Sequence, residues 1–132
     1  MTASAALYFW IALGSALGGM GRHAATLAIQ QFADPQGLPW WTILVNATGS
    51  FAIGFVAAAT AAEGIWPQND GVRAFLTVGI LGGYTTFSAF SLQTFDLVRE
   101  GQPGLAALNV ALSVGLCLVA VACGFFAARL FE

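Results

Sequence analysis

The sequence predicts an all-α membrane protein of four transmembrane helices, and three observations carry that prediction. The 132 residues are 58% hydrophobic and 8% charged, with no lysine. A soluble domain carries about 25% charged residues, so this chain could not cover its own surface in water. Residues 1–21, 40–62, 74–95 and 101–128 contain no Asp, Glu, Lys or Arg, and each run reaches the roughly 20 residues that cross a hydrocarbon core of about 30 Å as a helix. Short polar turns separate the runs.

The first run continues through apolar sequence to about Phe32 and lacks a basic leader and a clear cleavage signature. It reads as a helix over about 4–32 rather than a signal peptide. ADPQGLP (33–39) is a polar turn with two prolines. Trp40 and Trp41 follow it, a pair suited to the headgroup interface at the start of a helix over about 40–62. EGIWPQNDG (63–71), with Trp66 at its edge, leads into the third helix, about 71–98. REGQPG (99–104) precedes the fourth, about 104–130. These loops are too short to hold a soluble domain. Residues 1–132 therefore form a single four-helix transmembrane domain whose work lies within or across the bilayer. There is no internal repeat, and a net charge of −2 gives no basis for nucleic-acid binding.

Four spans put the termini and the middle loop on one side. Arg73 and Arg129 then lie on that side, Arg99 on the other, and Arg22, late in helix one, toward the side of Arg99. A positive-inside bias needs an excess on one face, and two against two gives none. Either the first helix orients the chain, or copies insert both ways and pair antiparallel. The Gly14/Gly18 and Gly79/Gly83 spacings allow close helix contact, and four helices are few to enclose a pathway, so oligomerisation is expected.

The third run contains GGYTTFSAFS (82–91). Gly79, Gly82 and Gly83 each lower helix propensity by about 1 kcal/mol relative to Ala, and Tyr-Thr-Thr follows. This predicts a helix broken near its middle. Broken backbone at membrane depth is tolerated where it is buried in protein or lines a cavity; freed carbonyls suit a cation and amide ends an anion. The alternative is a structural kink whose hydroxyls bond back to the preceding turn.

Phe87 and Phe90 share a face among Thr86, Ser88 and Ser91. They either pack against lipid and protein or present their positive ring edges to an anion. Asn46 adds a donor in the middle of the second helix. Asn109, Ser113 and Cys117 form a polar stripe at spacing four on the last helix, which either lines a path or joins helices. Cys117 and Cys123 lie six apart on one helix and cannot pair within it, so both read as free thiols.

Three blocks together resemble the Fluc (CrcB) family of small fluoride channels: LGGMGRH (17–23), TILVNATGSFAIG (42–54) and GILGGYTTFSAFS (79–91). The third is the specific one, and the similarity covers nearly the whole chain. The resemblance implies an antiparallel dual-topology homodimer in the plasma membrane that exports cytoplasmic fluoride passively through two pores. It places Phe87, Phe90 and Asn46 in the fluoride path. Thr86, Ser88, Ser91, Ser113, Asn109 and Cys117 are the candidate polar groups beside them. It assigns the backbone carbonyls of Gly82 and Thr85 to a structural Na+ at the dimer dyad. It leaves Arg22 as either dimer electrostatics or vestibule charge. Ala89 departs from the family's frequent threonine, and Asn109 and Cys117 from its tyrosine and serine.

An enzyme is not expected. His23 is the one histidine, and the carboxylates are confined to loops and segment ends, so no catalytic constellation is available. The competing reading is a non-transporting structural or assembly protein whose polar residues only join helices.

Overall fold

The computed structural model describes residues 3–34, 37–61, 64–67 and 69–131. Among the expected turn residues, Pro35, Gln36, Glu63 and Gln68 lie outside that set. The described residues are all-helical, with no strand. Helix α1 is Ala3–Gln30, α2 is Trp40–Ala59, α3 covers residues 70–84 with Phe75–Leu81 wound as a π-helix, α4 is Phe87–Arg99 and α5 is Pro103–Arg129. Helices α3 and α4 are the two halves of the broken third span.

Local chemistry sets these boundaries. The Asn69 side chain accepts from the Val72 N–H at 3.0 Å and caps α3, with Asp70 in the first turn where the helix dipole favours an acid. Gly101, at φ 76°, terminates α4 in the left-handed region. The Gly101 N–H donates to Val98 O and the Gln102 N–H to Leu97 O, the paired bonds of a Schellman turn. Pro103 then opens α5, where its missing N–H costs nothing.

Among the described residues, three spans, α2, residues 70–99 and α5, are long and apolar enough to cross a membrane. The sequence predicts four. Helix α1 has 28 residues, about 42 Å at 1.5 Å per residue, with Arg22 and His23 following its charge-free run. It lies beside the third span and packs closely on α3.

The most extensive helix interface joins α2 and α5. Gly54 and Gly124 meet at the crossing, and a methyl on either would strike a main-chain carbonyl of the facing helix, Val121 O or Phe51 O. Ala58, Ala59 and Ala128 are fully buried just beyond. The α1–α3 contact is built the same way. A Cβ on Gly14 would stand 3.0 Å from the Gly79 Cα, Gly18 abuts the Ile80 carbonyl and Gly83 abuts Ser15. The two glycine pairs noted in the sequence thus face each other, and their absent side chains let backbones touch. Only 11% of the apolar window in the third span, and the same in α5, is buried within the chain. Their surface is suited to lipid and to a partner.

Candidate functional site

The break lies at Thr85 (φ −83°, ψ 159°) and Thr86 (φ −152°, ψ 114°), both extended. The glycines do not break the helix: Gly82–Tyr84 remain α-helical, and Gly79 and Gly83 serve close packing on α1. β-Branched threonines favour extended backbone, and the surrounding residues replace the bonds that extension removes.

In a continuous helix the Thr86 N–H would donate to the Gly82 carbonyl. Here it donates to Asn46 Oδ1 at 2.7 Å, while Asn46 Nδ2 donates to Thr86 O at 2.9 Å. One side-chain amide satisfies both main-chain polar groups, as a neighbouring strand would. Asn46 keeps one amide hydrogen beyond this pair.

Arg22 Nη1 donates to Thr85 O at 3.2 Å, and the Thr85 hydroxyl donates to Leu81 O at 3.0 Å. Arg22 is therefore level with the break. Helix α1 runs on to Gln30, so Arg22 sits within the helix, eight residues before its end. The Tyr84 hydroxyl meets Thr48 Oγ1 at 3.1 Å. Gly49 leaves α2 no side chain where Thr85 and the Tyr84 ring press against it.

Beside the break is a groove of about 420 Å³. Asn46, Thr86, Phe87, Phe90, Ser113 and Cys117 line it, with Ile53, Leu81, Val114 and Leu118 as apolar wall and no Asp, Glu, Lys, Arg or His. The Phe87 and Phe90 rings lie 5.3 Å apart with planes at 55°. Phe90 is 9% exposed and Phe87 76%, so Phe87 stands out from the single chain. Ser50 also lines the groove. The sequence reading passed over it, although it sits four residues after Asn46 on the same helical face.

Other candidates stand elsewhere. Ser91 donates to Phe87 O at 2.9 Å, and Ser88 meets the Thr86 hydroxyl at 3.3 Å; both are exposed and outside the groove lining. Asn109 is fully buried behind it. Its Nδ2 donates to Thr94 Oγ1 at 2.8 Å, and its Oδ1 accepts from Ser113 Oγ at 3.4 Å. Thr94 was missed because one threonine in a membrane helix carries no signal until its partner is placed. Cys117 and Cys123 are both free thiols, the first half-buried at the groove and the second exposed on another face.

No group of three or more His, Cys, Asp or Glu gathers among the described residues. The break instead offers neutral main-chain oxygens. The Gly82 carbonyl has lost the Thr86 N–H, and the Thr85 carbonyl keeps one lone pair beside its bond to Arg22. Neutral oxygens of this kind fit a hard cation rather than zinc.

The family described as "CrcB-like protein, Camphor Resistance (CrcB)" matches residues 9–125. The chain is 50% identical over 123 residues to the fluoride-specific ion channel FluC of Opitutus terrae, covering 92% of each chain. It is 47% identical over 116 residues to the protein of that name from Methylocella silvestris, covering 86% of each. With the one from Gluconobacter oxydans it shares 46% over 123 residues, covering 92% of this chain and 84% of the relative.

Proposed function

The chain belongs to the CrcB family, and from that premise we propose that it is a fluoride-selective passive channel of the plasma membrane, working as an antiparallel dual-topology homodimer with two pores. The observation that carries the reading is the groove at the helix break, which is lined by neutral donors and phenyl rings and has no fixed charge. Membership in a channel family also means that the protein is not an enzyme.

Fluoride holds water tightly, so a path that strips water must return hydrogen bonds at close range. The free amide hydrogen of Asn46 and the hydroxyl of Thr86 supply donors along the groove, while the Ser113 proton goes to Asn109. The positive edges of Phe87 and Phe90 supply attraction without a counter-charge. A fixed cation in the path would hold the anion too long, whereas weak successive sites let it leave. The 76% exposure of Phe87 supports a second copy closing the open side of each groove. Ser88 and Ser91, exposed on that side, would then face the partner or the path mouth.

A structural Na+, held by the Gly82 and Thr85 carbonyls of both copies, would supply positive potential near both paths. In each copy Asn46 frees the Gly82 carbonyl by taking the Thr86 N–H, while the Thr85 carbonyl also accepts from Arg22.

Fluoride efflux from liposomes reconstituted with purified protein tests the function, with chloride as control. Fast, saturable-by-protein fluoride release with no chloride release is expected. The rival reading, a helix-joining assembly protein, draws on the fully satisfied Asn109 and predicts no flux of either anion.

A further inference from the structure

Helix α4 carries both groove phenylalanines yet has few neighbours: it meets α5 modestly and α2 slightly. Polar clips compensate. At its start, Asn46 holds the Thr86 main chain by two bonds. About two turns on, roughly 12 Å at 1.5 Å per residue, Asn109 of α5 donates to Thr94 Oγ1 at 2.8 Å, and the Thr94 hydroxyl donates to Phe90 O at 2.7 Å. Ser113, a groove residue, donates into the same chain at Asn109 Oδ1.

We infer that Asn109 and Thr94 are positioning residues: they fix the Phe90 main chain, and through it the ring's edge in the groove, without touching the anion themselves. Asn109 is fully buried and Thr94 half-buried, and neither lines the groove. A buried amide bonded to a hydroxyl has one good geometry, because sliding α4 along α5 would strand both groups. An apolar contact has no such preference. The Thr94 hydroxyl is suited to the link because it both donates and accepts. It takes the Asn109 N–H on one side and gives its proton to the Phe90 carbonyl on the other, so a shift of α5 is passed to the residue that bears the ring. Between the Thr86 and Thr94 clips the two rings have little freedom to rotate with the helix. This assigns Asn109 a role different from that of an anion ligand on the last helix.

The test compares Thr94→Val, which keeps shape and loses the hydroxyl, Thr94→Ser, which keeps the hydroxyl, Asn109→Leu, and the Thr94→Val/Asn109→Leu double variant. Fluoride and chloride flux are measured together with the 19F resonance of 4-fluorophenylalanine placed at position 90. Both single variants should slow fluoride flux about tenfold, a barrier change of about 1.4 kcal/mol, lower fluoride-over-chloride selectivity and move the resonance. Thr94→Ser should do none of these, and the double variant should be no slower than the slower single one. Unchanged flux and resonance in Thr94→Val, or additive losses in the double variant, would overturn the inference. If Asn109→Leu does not assemble, Thr94→Val against Thr94→Ser decides alone. The flux arm rests on the channel reading; should the parent protein conduct no fluoride, that reading fails and the resonance still decides this one.

Discussion

Asn46 and Thr86, forty positions apart, exchange two hydrogen bonds of 2.7 and 2.9 Å, and that pair keeps the third span broken. Asn46→Leu removes both partners at once. Leaving a buried polar group unpaired costs about 1–3 kcal/mol, and these groups are part-buried, so the variant should lose about 1 kcal/mol or more of stability, exchange the Thr86 amide faster and conduct no fluoride. Hydrogen exchange and a melting curve in detergent check this; parent-like protection at Thr86 would contradict it.

For the aromatic pair, Phe87→Ile and Phe90→Ile keep apolar bulk and remove the ring edge. Each should abolish or severely slow fluoride flux while the dimer still assembles on size exclusion. Phe87 is largely exposed in the single chain, so its replacement should leave the fold of one copy undisturbed. Normal conduction by both variants would reduce the rings to packing.

Sodium should stabilise the dimer, with a gain of about 2.7 kcal/mol at a hundred times its dissociation constant. Replacing it with N-methyl-D-glucamine should lower the melting temperature. Arg22 presents a guanidinium to one of the proposed ligands, so Arg22→Gln should shift sodium dependence to lower concentrations by relieving like-charge competition. A melting temperature indifferent to sodium in both proteins would dismiss the site.

The two cysteines separate wet surface from oily surface. Cys123 is the more exposed, but it lies among Val119, Phe126 and Leu130, an apolar surface that lipid would screen from a water-soluble reagent. Cys117 borders the groove with Asn46 and Ser113. A small water-soluble thiol reagent should modify Cys117 in the reconstituted protein and slow flux, and should spare Cys123. Mass spectrometry after labelling reads the outcome; preferential modification of Cys123 would show the groove to be dry.

Much of this was legible in the chain because membrane sequence is ruled by charge. The charge-free runs located the helices, and Gly-Gly followed closely by Thr-Thr within one of them marked the broken span. The glycines were credited with the break because their propensity is low, but propensity yields where a missing side chain lets two backbones meet, as Gly79 and Gly83 show against α1. Arg22 showed no partner in the sequence, because that partner is a carbonyl 63 positions away. Asn109 shared a stripe with Ser113 and Cys117, yet a stripe spans enough arc for one member to face a groove and another a neighbouring helix. Such distinctions depend on what packs opposite, which periodicity along one helix does not encode.

Residues Phe75–Leu81 wind as a π-helix, directly before the break. A π turn accommodates an additional residue relative to an α turn, so the segment behaves as a shim that sets the azimuth of everything after it. Rewound as plain α-helix with one residue deleted, it could keep its length across the bilayer nearly unchanged. Left at full count, the same rewinding would rotate the threonines by about 100°, the angle one residue subtends in an α-helix, and carry the Thr86 amide away from Asn46. Single-residue insertions and deletions in this stretch are therefore a phase adjustment, and the tolerance of the chain to them measures how narrowly the angle at the break is set.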